Sequence, residues 1–448
     1  MKKRFARRMT WLARGGAILL LCCTALLACA APSPSGGTPA VSPEARTTPT
    51  ALPPTARPTA EPATPAPQPT ARPTAEPATP APQPTSTAAT TTVVAQPGVT
   101  IRADGTLLVD GEPFFPFGFA LYPRYQTEEF TPETLARIAA SGFNTLHAPI
   151  RDNYPDLQAD AARLGIRLIA EIYPYELDDS GIVQAIAWVK DHPALLAYAI
   201  ADDVDDGEYY SPANVAQINE LVKRVDRNHP TYISGFVPEQ IGDFMQSADI
   251  VAMQSYPIGK TYWRLALPSH VNYALSTAMA AARPYNRPII ANLQAFAWPD
   301  QREPTAVEIR NMTYQALLNN VRGIVYYAYN DSVWRLEEHP TVWQALQDLT
   351  PEIERLAPVL LDGAYTRLDT GSDEIVAAQW RYADRLYVAV ANAREQPVSV
   401  TIPLASPATG PIEPLFRERP AGLSLENGKL TGSMEALEVH VYVLNAGP

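Results

Sequence analysis

The sequence predicts an α/β chain, a (β/α)8 TIM barrel followed by a C-terminal antiparallel β-sandwich. Three observations predict it. Eight apolar runs with strand character alternate with helical patterns over about 250 residues, the extent of one such barrel. Polar and aromatic side chains gather where those runs end. After residue 363 the helical period disappears and short strand-like runs take over.

The eight runs lie at 114–121, 143–150, 166–173, 195–201, 231–236, 249–256, 289–297 and 324–330. Helical patterns between them include 131–142, 180–191, 212–227, 305–322 and 341–357. In the first of these, Thr131 followed by Glu133 and Leu135 gives a helix start. Ahead of the barrel, VTIRADGTLLVDGEP reads as two short strands with turns at Asp104-Gly105 and Asp110-Gly111. Beyond it, EIVAAQWRYA, RLYVAVANA, PVSVTIPL and ALEVHVYVL read as strands, the first two joined by a tight hairpin at Asp384. The folded part thus divides into a barrel over 99–363 and a small sandwich over 364–448. A scaffold beside the barrel is the simpler role for the sandwich, with sugar binding as the alternative.

The N-terminus reads as an address. Residues 1–14 are basic, and GAILLLCCTALLA at 16–28 is apolar but shorter than the ~20 residues of a membrane span. This is the pattern of a signal peptide over 1–28. Leu26-Leu27-Ala28-Cys29 resembles the bacterial lipobox, which implies that Cys29 is acylated and becomes the mature N-terminus. The expectation is an exported lipoprotein anchored on the outer cell surface through that lipid alone. Residues 29–98 are rich in Pro, Thr and Ala, too poor in large apolar groups to offset chain entropy. TARPTAEPATPAPQP at 55–69 recurs at 70–84, which makes a spacer of on the order of 100–200 Å.

Composition excludes several classes. The 448 residues carry a net charge of −12, and Lys2, Lys3, Arg4, Arg7, Arg8 and Arg14 would leave with the signal peptide. Without those six, 29 basic residues face 47 acidic ones, a net charge of −18. That balance argues against nucleic acid, whose phosphates need clustered Lys and Arg. Cys22, Cys23 and Cys29 all precede the folded part, which therefore has no disulfide and no cysteine metal site. The six histidines are scattered, and only His147 falls on the barrel rim, so a metal-dependent hydrolase is the weakest reading. No metal or organic cofactor is required, and a monomer is expected.

In such barrels the reactive groups sit at the C-terminal ends of the strands. There the sequence offers Tyr122, His147, Glu171, Asp202, Asp203, Gln254, Tyr256, Asn292, Gln294, Trp298, Tyr327, Asp331 and Trp334. Aromatics with amides and carboxylates suit sugar rings, which present apolar faces and hydroxyl edges. Strand four is the most specific. By the two-residue period Ala197, Ala199, Ala201 and Asp203 share one side and Leu196, Tyr198 and Ile200 the other, which places Asp203 inside the mouth. Asp202, Asp203, Asp205 and Asp206 also repel one another, which raises pKa values as a general acid requires. A calcium site or a helix cap is the alternative.

DGEPFFPFGF at 110–119, GFNTLHAPI at 142–150 and AYAIADDVDDG at 197–207 resemble the (β/α)8 glycoside hydrolases of the cellulase and β-galactosidase superfamily, over roughly 112–360. The resemblance implies a glutamate acid/base in an Asn-Glu-Pro or Asp-Glu-Pro motif after strand four, and a glutamate nucleophile after strand seven. Here Asp202-Asp203-Val204 stands at the first place, and PIIANLQAFAW puts Gln294 near the second. An amide cannot form the glycosyl ester. Another carboxylate must pair with Asp203, and Glu171, Asp331 and then Asp300 are the candidates. Glu171 has a duller reading as an ion-pair partner of Arg167. The function expected is carboxylate acid/base hydrolysis of an extracellular carbohydrate. The alternative is a catalytically impaired sugar-binding or cell-wall adhesion protein.

Overall fold

A computed structural model describes residues 98–149, 155–172, 177–207, 209–259, 268–416 and 422–447. The expected signal peptide, Cys29 and the expected Pro-rich tether as far as Pro97 lie outside the described residues.

The chain enters through β1 (Val99–Ile101), β2 (Leu107–Val109) and β3 (Glu112–Phe114), an antiparallel sheet in that order. The expected two strands are three, because Asp110 and Gly111 both take positive φ and close a two-residue hairpin between Val109 and Glu112. This sheet is fastened to the N-terminal end of the barrel. Arg322 donates to the Asp104 carbonyl, Arg167 meets Asp110, and Val99 donates to the Asn228 carbonyl.

The barrel strands are β4 (Phe117–Leu121), β5 (Thr145–Pro149), β6 (Arg167–Glu171), β7 (Leu195–Ala201), β8 (Thr231–Gly235), β9 (Ile250–Ser255), β10 (Ile289–Gln294) and β11 (Ile324–Asn330). They are parallel and close in sequence order, β11 pairing with β4. All eight apolar runs are strands. The closure is tight: a Cβ on Gly118 would lie 1.7 Å from the Thr145 carbonyl oxygen, so only glycine fits there.

Around them run α1 (Pro132–Ala140), α2 (Pro155–Arg163), α3 (Asp179–Val189), α4 (Pro212–Val225), α5 (His270–Ala282), α6 (Ala306–Leu318), α7 (Pro340–Gln347) and α8 (Thr350–Asp362). Short polar side chains start several of them. Thr131 accepts from the Thr134 amide as expected, and Thr305 forms a reciprocal capping box with Glu308. Two departures from the expected alternation have local causes. Between β8 and β9 there is no α-helix, only a 3-10 turn at Ile241–Phe244, in a segment interrupted by Pro238 and Gly242. The single helix expected at 341–357 is two, because Pro351 lacks the N–H needed to continue α7 and instead opens α8.

The remainder is two antiparallel sheets. One comprises β12 (Ala364–Arg367), β13 (Ile375–Tyr382), β14 (Arg385–Asn392), β19 (Val439–Ala446) and β16 (Ala408–Pro414), in that order. The other comprises β15 (Val398–Pro403), β18 (Lys429–Met434) and β17 (Leu423–Glu426). The expected hairpin is a two-residue turn, Ala383-Asp384, with φ 53° at Ala383. The period of two buries both faces of the larger sheet. Ile375 and Ala377 of β13 pack on Val400, Ile402 and Leu430 of the smaller sheet. Val376, Ala378 and Trp380 join the core that runs through the barrel.

Candidate active site

The C-terminal mouth of the barrel holds a small pocket with room for about one water molecule. Tyr122, His147, Tyr256 and Tyr327 supply its aromatic wall, and Asp202, Gln254 and Asn292 its polar wall. Ala120 and Val325 close the floor. Seven of the residues singled out in the sequence thus meet around one cavity.

A β-bulge decides which acid faces the pocket. Ala199 pairs with Tyr232, but Ala201 pairs with Ile233, so β7 carries one residue more than β8 over that interval. The extra residue reverses the alternation. Asp202, not Asp203, comes level with Ser234 and lines the pocket, and the Ser234 hydroxyl donates to its Oδ1. Asp203 stands beside it, half-buried, with φ 56°. The Gln254 amide joins the group, with Nε2 3.1 Å from Asp202 Oδ1, 2.8 Å from Asp203 Oδ1 and 3.0 Å from Ser234 Oγ.

Asp205 carries the raised pKa expected of this acidic run, but away from the pocket. Burial pushes its carboxyl up to about 7, and the charge of Asp203 adds to the effect. The Phe236 and Val237 amides both donate to it, which ties the loop after β7 to the end of β8.

Glu171 is buried at the end of β6, its Oε2 3.7 Å from His147 Nε2. Arg167 reaches Asp110 and the Pro193 carbonyl instead, so the ion pair proposed within β6 is replaced by a carboxylate–imidazole contact next to the pocket. The His147 ring sits edge-on to Tyr122 and Tyr232 at 6.1 and 5.4 Å. Tyr327 is the centre of the aromatic wall, 6.0 Å from Tyr122, 5.8 Å from Tyr256 and 5.5 Å from Phe296. Trp298 backs this wall, its indole N–H directed at the Tyr256 carbonyl.

Three of the singled-out residues are engaged elsewhere. Gln294 is fully buried, and its amide accepts from the Ile258 N–H and donates to the carbonyls of Ile258 and Phe296. It clamps the loop after β9, and both its N–H groups are used. Asp331 closes a turn by accepting from the Val333 and Trp334 amides. Trp334 is buried in that loop and stacks on His339 at 3.6 Å. Asp300 is exposed in the loop after β10. Two residues that hold the polar wall from behind were not singled out. Tyr232, which donates to Asn292 Oδ1 at 3.1 Å, and Ser234 are alternate residues of β8, and the two-residue period places them inward. Among the described residues there is no group of three or more side chains able to hold a metal ion.

The fold is shared with glycoside hydrolases. One structure described as a glycoside hydrolase aligns with a TM-score of 0.56 at 13% identity, covering 78% of this chain and 97% of the other. An Anoxybacillus alpha-amylase aligns with a TM-score of 0.51 at 10% identity, over 75% and 98% of the two chains. An alpha-amylase from Geobacillus thermoleovorans, solved with acarbose, aligns with a TM-score of 0.50 at 12% identity, over 74% and 98%. At these identities the likeness is one of fold. No protein-family model and no curated protein sequence matches the chain.

Proposed function

We propose that the chain is an exported, lipid-anchored surface protein whose barrel hydrolyses a glycoside at this pocket. The observation that carries the reading is the carboxylate pair Asp202 and Asp203, joined by one Gln254 amide, at the edge of a pocket walled by three tyrosines. Hydrolysis needs one carboxyl group to protonate the leaving oxygen as the glycosidic bond breaks, and a second to attack or to take a proton from water. Asp203 and Asp202 supply the acid side. Glu171, next to His147, is the second carboxylate, because Asp331 is held in its turn. The tyrosines stack on the sugar face, and Gln254 and Asn292 bind hydroxyls.

A second reading is binding without cleavage. It is favoured by Gln294, which ends β10 as a clamp where a nucleophile would serve. Incubating the lipid-free fragment 99–448 with polysaccharides and aryl glycosides separates the two. Turnover that falls at least 100-fold in Asp203→Asn and in Asp202→Asn, with the fold intact, is the expected result. Saturable sugar binding without turnover, barely altered by either change, establishes the binding reading. Turnover undiminished in both variants refutes the assignment of the acids.

A further inference from the structure

We propose that a cleft on the outer side of the barrel helices is a binding site for a small linear diamine or polyamine. None of the residues around the mouth lines it, so the proposal stands independently of what the mouth does.

The cleft has a volume of about 420 Å3 and lies where the first turns of α6 and the end of α7 meet the turn between β18 and β19. That size falls within the ~300–1,000 Å3 of small-molecule sites. Its body is aliphatic. Val307, Ala345 and Leu349 come from the helices, and Leu437 and Val439 from the sheet side. Val307 is 53% exposed, although apolar. Leu437 holds φ 57°, the left-handed region in which glycine is relaxed and leucine is not. A leucine kept at such a position contributes its side chain, and here that side chain is part of the cleft wall. Among the described residues no phenol or indole ring lines the cleft, so it offers no platform for a sugar face.

The charges come from both sides. Asp348 caps the end of α7, and Glu435 and Glu438 belong to the turn before β19. Gln344 donates to Asp348 Oδ1 and the Glu435 amide donates to Glu438 Oε2, which leaves each of these carboxylates its second oxygen. The basic groups of the wall do not cancel them. Arg310 is spent on Glu352 and on the Val439 carbonyl, and His440 meets the Oε2 side of Glu438 at 3.1 Å. Carboxylates on both sides with hydrocarbon between them complement an alkane that carries an ammonium at each end. The stem covers apolar surface, and each ammonium brings three N–H donors. A single cation satisfies one side only, and an anion meets three carboxylates.

Titration calorimetry of the full chain with linear diamines from diaminoethane to diaminooctane, and with the alkylamine of each length, tests this. The expected result is one saturable site with an optimum at an intermediate length. The alkylamine of that length should bind about fivefold more weakly, for want of the second ion pair. Asp348→Asn and Glu435→Gln should each weaken the best diamine about fivefold as well. Glu354→Gln, which removes an exposed carboxylate of α8 outside the cleft, should leave affinity unchanged. Val307→Trp should fill the cleft and abolish binding while thermal unfolding stays as in the native protein. The absence of saturable binding, an alkylamine bound as tightly as the diamine, binding that survives Val307→Trp, or equal losses in Glu354→Gln and Glu435→Gln overturns the proposal.

Discussion

Asp205 is the residue whose titration the protein feels most directly. Its carboxyl lies at about 7 when folded, against an ordinary value of 3.8. Between those values the folded state keeps a proton that the unfolded chain has lost. Stability from this group is therefore complete below about pH 4 and falls by ~1.4 kcal/mol per pH unit as pH rises towards 7. Asp205→Asn keeps an acceptor for one of the Phe236 and Val237 amides, at a cost in stability that does not vary with pH, and has no proton to lose. Urea unfolding from pH 4 to 8 should show the variant gaining on the native protein as pH rises, and parallel curves would contradict the assignment. The position of this acid was legible in the sequence, but its role was not. A period of two read along β7 places Asp203 in the mouth, and the reading holds as far as Ala199. One extra residue against β8 then exchanges the two faces. Bulges arise from pairing with a neighbour, which a single strand's pattern does not contain. Gln294 was visible as an amide at a strand end, yet its partners are carbonyls of a loop and of its own strand end.

Among the elements, α6 departs furthest from its sequence. AVEIRNMTYQALL carries polar residues of the kind that face water, yet every residue from Glu308 to Leu318 is buried. The reason is a second wall: barrel strands lie on one side, and the sheet of β13, β14 and β19 on the other. The polar groups are satisfied across that seam. Arg310 pairs with Glu352 of α8 at 2.9 Å and donates to the Val439 carbonyl, Tyr314 donates to Glu352 at 2.6 Å, and Asn311 donates to the carbonyls of Asn392 and Leu437. Removing one partner of a buried ion pair strands the other, so Arg310→Met should cost about 3–5 kcal/mol. Adding Glu352→Leu should recover much of that loss. Thermal unfolding measures both, and a single variant within 1 kcal/mol of the native protein would show that the seam is not held by this pair. The sequence marked the helix but not its burial, because the covering sheet lies up to about 130 residues downstream.

At the scale of the molecule, the strand–helix alternation and the change of texture after residue 363 were enough to read both layers. What they could not show is that the layers share a core. Val376, Trp380, Ala389 and Val441 of the sheet belong to the same apolar cluster as the barrel strands. The expected division at 363 is thus a change of architecture within one packed unit. The proposed address is tested on the whole chain in its cell. Cys29→Ser should abolish incorporation of labelled fatty acid and move the protein from the membrane fraction to the soluble one. Retention of both label and membrane association would refute acylation at Cys29.

The shared core also bears on descent. A recombination that exchanged the last strands for another β-domain would leave Arg310, Asn311 and Trp380 without the surfaces they evolved against. Barrel and sheets should therefore be inherited as a pair, with drift on α6 answered by drift on β13, β14 and β19. Related sequences should record that partnership as covariation across the seam, whatever happens to the residues of the mouth.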